Sequence, residues 1–190
     1  QNGVTYIPGS TVWSYETELN IGQNFFSVTS KDDLGIESPA DTITITFENT
    51  IPNQPINLSP ENGAASISPK AILTSSQFSD PDNGDTHRSS QWQITQVSGG
   101  YSAPVFDSGE DNANLTQITI PQGVLAFGTT YFWHVRYRDS RGSWTEFSQE
   151  TSFTTSPDTD GDSVADIDDN CPGVPNPDQK DSDAAEGMIS

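Results

Sequence analysis

The sequence is poor in several things at once. It has 1 cysteine and 1 methionine in 190 residues, 2 histidines, and only 7 lysines and arginines against 27 aspartates and glutamates. A single cysteine excludes a framework of disulfides within the chain and a cysteine-based zinc site. A formal net charge of -20 excludes nucleic acid as a partner, because a polyanion would be repelled. No apolar run reaches membrane-spanning length, so no membrane insertion is expected. Gln1 is not followed by a signal peptide, which suits a processed secreted chain or a piece of a longer one. No nucleophile elbow, zinc-helix motif or phosphate loop occurs, and a hydrated acidic loop does not drive paired carboxylates apart in pKa. No enzyme activity is therefore expected, and no catalytic residue is assigned.

What is present is β-pattern and acid. Hydrophobic residues make up only 31%, but 4 Trp, 5 Tyr and 9 Phe fall in alternating runs. That pattern is expected of β-sheets with one buried and one polar face. The expected fold class is all-β: sandwiches in tandem, followed by an irregular acid-rich tail. Residues 1–50 read as a partial module, 51–156 as a complete sandwich, and 157–190 as the tail.

In the first segment "TVWSYETEL" puts Trp13, Tyr15, Thr17 and Leu19 on one face. Phe26 and Val28, then Ile43, Ile45 and Phe47, continue the pattern, with "DDLG" as the turn between the last two strands. Three strands present one apolar face, and a sheet needs a second layer to cover it. The expectation is that another polypeptide segment completes it. This stretch resembles the C-terminal half of a bacterial immunoglobulin-like repeat, through Asn2–Val4, Trp13–Tyr15, Leu19, Gly22, Asn24, Val28, Asp32, Gly35, Ser38, Ile43 and Ile45. The resemblance implies leading strands before Gln1. Either the chain begins partway through a longer protein, or a strand from elsewhere completes the sandwich.

"ENTIPNQP" is expected to be a linker, since its prolines cannot donate to a ladder. Beyond it, strands are expected near 56–59, 71–78, 90–97, 104–107, 115–120, 130–138 and 147–154. On "TYFWHVRYRD", Tyr131, Trp133, Val135 and Tyr137 should face inward, and Phe132, His134, Arg136 and Arg138 outward. Trp92, Leu125 followed by Tyr131, and "DSRGSWTEFS" carry a resemblance to fibronectin type III modules. "SWTEFS" is similar to the WSxWS pattern of some of them, which implies arginines stacked on an aromatic ring. Arg136, Arg138, Arg141 and Trp144 are the candidates for such a ladder, as a stabilising feature.

The acidic tail carries the chemistry. In "DTDGDSVADIDD", counted from Asp158, oxygen donors fall at positions 1, 3, 5, 7, 9 and 12: Asp158, Asp160, Asp162, the Val164 carbonyl, Asp166 and Asp169. That is the spacing of an EF-hand-type calcium loop, in which alternate residues point inward at a hard cation that takes six to eight oxygens. Position 6 is Ser163 rather than glycine, so the turn is harder to make, and position 12 is aspartate rather than glutamate. Asp80, Asp82 and Asp85 in "SDPDNGDTH" form a weaker candidate calcium loop among turn-forming residues. "DTDGDSVADIDDNCPGVPNPDQKDSD" resembles a thrombospondin type 3 repeat. That resemblance implies calcium held without helices, against a neighbouring domain. It departs from the family after Asp183, so a second loop is incomplete and Asp181 and Asp183 are at best accessory. In the family the cysteine pairs with one in the next repeat, so Cys171 is free, paired to another chain, or without its partner here.

The functional expectation is a non-catalytic extracellular or cell-surface segment, structural or adhesive, of a larger multimodular protein. Calcium is its cofactor, and a protein or glycan surface ligand is compatible with it. The alternatives are the accessory region of a secreted hydrolase, and a filament subunit whose half sandwich another chain completes.

Overall fold

The computed structural model describes residues 4–6 and 13–180, with side chains from 14 onward. It divides into two compact units, residues 1–49 and 50–190. The described residues contain strands and turns and no helix, so none is long and apolar enough to cross a membrane.

In the first unit β1 (Val4–Tyr6) pairs antiparallel with β2 (Trp13–Tyr15), and β3 (Gly22–Val28) with β4 (Asp41–Phe47). β1 was not expected from the pattern. β2 ends at Tyr15, before Thr17 and Leu19. The expected turn forms at Asp32, whose Oδ1 accepts the N–H of Leu34 (3.0 Å) and of Ile36 (2.8 Å). The register sets Phe26 opposite Ile43 and Asn24 opposite Ile45, so the apolar side chains share one face. On that face Ile43 is 56% exposed and Ile45 38%. The Tyr15 ring meets Phe26 edge-on at 6.4 Å between centroids and covers only part of the face. The side chain of Trp13, and Asp181 and Asp183 at the other end, lie outside the described residues.

The second unit is a sandwich. One sheet has the order β10-β7-β5, from Gln117–Thr119, Ile72–Ser75 and Asn57–Ser59. The other has the order β6-β12-β11-β8-β9, from Ala64–Ile67, Thr151–Thr155, Thr130–Asp139, His87–Thr95 and Phe106–Asp107. All neighbours are antiparallel except β6 and β12, which run parallel. The seven expected strands are all present. β6 is an addition, a short edge strand in "GAASI", where glycine and alanine give no alternation to read.

Alternation on β11 fills the core as expected. Tyr131, Trp133, Val135 and Tyr137 are at most 1% exposed. Trp92 stacks on Trp133 at 5.9 Å between ring centroids and donates from Nε1 to Asn114 O at 2.8 Å. The Tyr131 hydroxyl accepts the Ala126 N–H at 2.8 Å, pinning the chain beside the buried Leu125. The linker is less free than its prolines suggest. Pro52 and Pro55 are buried, and the Asn53 N–H donates to Ser79 O at 2.9 Å.

The outward face of β11 holds a continuous stack. His134 lies between Tyr101 (3.6 Å) and Phe147 (3.8 Å), nearly parallel to both. The Arg136 guanidinium sits over Phe147 at 4.7 Å and over Trp144 at 4.6 Å, and Arg138 lies 5.6 Å from Trp144. Two features of this face go beyond what alternation gives. His134 points away from the core but is only 8% exposed, because the two rings enclose it. Arg141 does not join the ladder; its guanidinium reaches Asp85 at 2.9 Å. A second row braces the first, since Arg136 donates to Gln91 Oε1 (2.7 Å) and Gln91 to Asp107 (2.9 Å). Trp144→Ala removes the ring shared by two guanidinium groups and is expected to cost about 1–2 kcal/mol in urea unfolding. A change within experimental error would show that the stack adds nothing.

Candidate metal centre

Residues 156–180 contain no strand; aspartate side chains wind the chain instead. Asp158 accepts the N–H of Gly161 (2.8 Å) and of Ser163 (3.0 Å). Asp160 accepts the N–H of Asp162 (3.2 Å), and Asp162 that of Val164 (2.8 Å). Each carboxylate is thus held by a backbone amide two to five residues ahead, which curls alternate side chains to the same side. Asp158, Asp160 and Asp162 each offer an oxygen, and the three atoms lie within 4.8 Å of one another.

Not all six expected donors behave alike. Asp169 lies near enough to add its charge to Asp160. The Oδ2 atoms of Asp160 and Asp169 are both buried and accept no hydrogen bond among the described residues. Burial, then the charges of Asp162, Asp169 and Asp158, push the Asp160 carboxyl above the usual range. Buried carboxylate oxygens without donors are costly, and a cation removes the cost. Asp166 is engaged elsewhere: its oxygens take the Thr159 N–H (2.8 Å) and hydroxyl (2.6 Å). Val164 is half-buried beside the trio. Two donors were not expected in the surroundings. Gln179 Nε2 donates to Asp169 Oδ1 at 3.0 Å, and the Asn176 N–H to Asp162 Oδ2 at 2.9 Å, folding residues 170–180 back onto the loop.

The loop is docked on the sandwich. Ala165 is 3% exposed, the Ile167 N–H donates to Ser156 Oγ at 3.2 Å, and the Ser68 hydroxyl donates to Asp168. Ser156 is in turn held by Ile67 O at the end of β6. The turn at position 6 is made despite the missing glycine, with Ser163 in the left-handed region at φ 76. That conformation costs an L-residue roughly 1–2 kcal/mol. Ser163→Gly is expected to stabilise the loop by about 1 kcal/mol, read as slower amide exchange over residues 158–169. Faster exchange would show that the serine side chain contributes more than the strain.

The second acidic group differs from expectation in one member. Asp80, Asp85 and Asp139 bring their oxygens within 4.8 Å. Asp82 is not among them; it accepts the Thr50 N–H at 2.6 Å and lies 3.9 Å from the Arg141 guanidinium. Asp139, at the end of β11, is fully buried and accepts the N–H of Arg141 (2.9 Å) and Ser143 (2.8 Å). Its only signal in the sequence was an aspartate ahead of a Ser-Arg-Gly turn. This group already has a counter-charge in Arg141, whereas no lysine or arginine bridges the tail trio among the described residues.

The class defined by this fold is an all-β chain carrying an immunoglobulin/fibronectin type III-like sandwich. No family model matches the chain, and no curated protein matches it by sequence. Among solved structures, the chain is similar to fibronectin(III)-like modules of Clostridium thermocellum CbhA, at 13% identity over 75% of this chain and 67% of that one, with a TM-score of 0.43. It is also similar to an Fn3-like protein from Clostridium thermocellum, at 24% identity over 55% of this chain and 93% of that one, TM-score 0.38. A Streptomyces avermitilis alpha-L-rhamnosidase is matched at 21% identity over 55% of this chain, TM-score 0.46, and the chain spans 10% of that enzyme's length.

Proposed function

We propose that this chain is a non-catalytic, extracellular structural segment of a multimodular protein, whose tail takes up calcium and is stiffened against the sandwich by it. The observation that carries the reading is the trio Asp158, Asp160 and Asp162, with buried, donor-less oxygens on Asp160 and Asp169. All the donors are hard carboxylate oxygens, which suits calcium; no histidine lies in the loop to favour zinc. Millimolar calcium outside cells makes even a weak site useful. Asp166 would have to release Thr159 to join, so it is the weakest of the proposed ligands. The exposed Ile43 and Ile45 support the further reading that another polypeptide segment covers the first unit in the native assembly.

Calorimetric titration of the whole chain with calcium tests the proposal. At least one site is expected, and Asp160→Ala is expected to weaken it tenfold or more, about 1.4 kcal/mol. An isotherm unchanged by that substitution would place any calcium elsewhere. Asp80→Ala separates the two acidic groups, and is expected to leave the tail site unaltered.

A further inference from the structure

Asparagine precedes glycine twice among the described residues, at Asn62–Gly63 and Asn83–Gly84. The two pairs share their local chemistry and differ in what the fold does with them. We propose that Asn83 is a site of spontaneous deamidation, and that Asn62 is protected by the sandwich.

The reaction needs only water. The Gly84 backbone nitrogen loses its proton and attacks Asn83 Cγ. A C–N bond forms, the side-chain nitrogen leaves as ammonia, and a five-membered succinimide results. Water then opens the ring at either carbonyl, leaving an aspartyl or isoaspartyl carboxylate at position 83. The step requires a backbone nitrogen free to attack, an amide carbon free to rotate toward it, and room for both.

All three are met at Asn83. Both residues of the pair are exposed. Gly84 has φ 88, and nothing lies within 4 Å of where a Cβ would stand. Among the described residues, neither the Gly84 N–H nor the Asn83 side chain makes a hydrogen bond. A turn closes around the pair, the Asp85 N–H donating to Asp82 O at 3.3 Å, and leaves the Gly84 N–H and the Asn83 side chain themselves unbonded among the described residues. Asp80 Oδ1 holds the Asp82 N–H (2.8 Å), and the Asp85 carboxylate is held by Arg141 (2.9 Å).

At Asn62 the same groups are occupied. Asn62 Oδ1 accepts the Ser152 N–H (2.9 Å) and hydroxyl (3.2 Å), and the Gly63 N–H donates to Ser152 O (2.8 Å). Electrophile and nucleophile are both tied to β12. Each hydrogen bond has to break before the ring can close, and together they are worth on the order of tenfold or more in rate. The product at position 83 adds a carboxylate to a loop that already carries Asp80, Asp82 and Asp85.

The test is incubation of the whole folded chain in mildly alkaline buffer, followed by peptide mapping that resolves asparagine, aspartate and isoaspartate. Conversion at Asn83 is expected to be about tenfold or more faster than at Asn62, given the bonds that hold the latter. In urea the two rates are expected to converge. Equal rates in the folded chain, or faster conversion at Asn62, would overturn the proposal. So would a difference that persists unchanged in urea, because it would then belong to the neighbouring residues and not to the fold. Asn83→Gln, whose longer side chain closes a six-membered ring less readily, is expected to abolish the modified peptide.

Discussion

Trp92→Ala is expected to remove about 3–5 kcal/mol from the stability of the sandwich, a large fraction of the roughly 5–15 kcal/mol that a single domain possesses. Trp92 is fully buried between the two sheets and stacked on Trp133. Truncation leaves a cavity the size of an indole ring, walled by a sheet that cannot collapse without breaking the β8–β11 ladder. It also strips the Asn114 carbonyl of its donor. Urea unfolding followed by circular dichroism measures the loss. A cost below about 1 kcal/mol would mean that the ring is not a core element.

Acid is expected to weaken the same module in a defined window. His134 is enclosed by Tyr101 and Phe147, and that burial lowers its pKa from 6.5 to about 4; Arg136 lowers it as well, while Glu150 and Asp107 act in the raising direction. His87, stacked on Phe78, is lowered too, chiefly by burial. A histidine with a depressed folded pKa binds its proton more readily when unfolded. Stability is therefore fully present above about 6.5 and falls as pH drops toward about 4. The full shift at His134 would be worth about 3 kcal/mol, and roughly half of that is expected because solvent still reaches the ring edge. The carboxylates of Asp107, Asp111 and Glu150 have lowered values, so their contribution is lost at lower pH, as they protonate. His134→Phe keeps the stack and removes the proton site. Urea midpoints measured across this range should flatten in that variant. An unchanged slope would assign the effect to His87 or to the carboxylates.

Much of the sandwich was legible in the sequence because alternation is a local signal. Tyr131, Trp133, Val135 and Tyr137 face inward as a period of two dictates, and the seven strands fall where turn residues bound them. The acidic loop was legible for a similar reason: alternate aspartates in a tightly wound segment converge, and Asp158, Asp160 and Asp162 do. β6 was not legible, since "GAASI" has no apolar period and is recruited only because β12 offers an edge. Nor could spacing reveal that Thr159 takes both oxygens of Asp166, because spacing places a side chain without saying what competes for it.

By itself the sequence determined the all-β class, the inward face of the long strand β11, the arginine–aromatic ladder and the position of an acid-rich loop. Each of these follows from neighbours within a few residues. Tertiary structure decided what depends on residues far apart in the chain. It buried His134 between Tyr101 and Phe147, and it substituted Asp139 for Asp82 in the second acidic group. It left Asp160 and Asp169 with oxygens that no donor reaches, and it tied Asn62 to Ser152 while leaving Asn83 free. The physical reason is the same in each case. Backbone periodicity sets the direction of a side chain, whereas burial and hydrogen-bond competition are settled only when distant strands close over it.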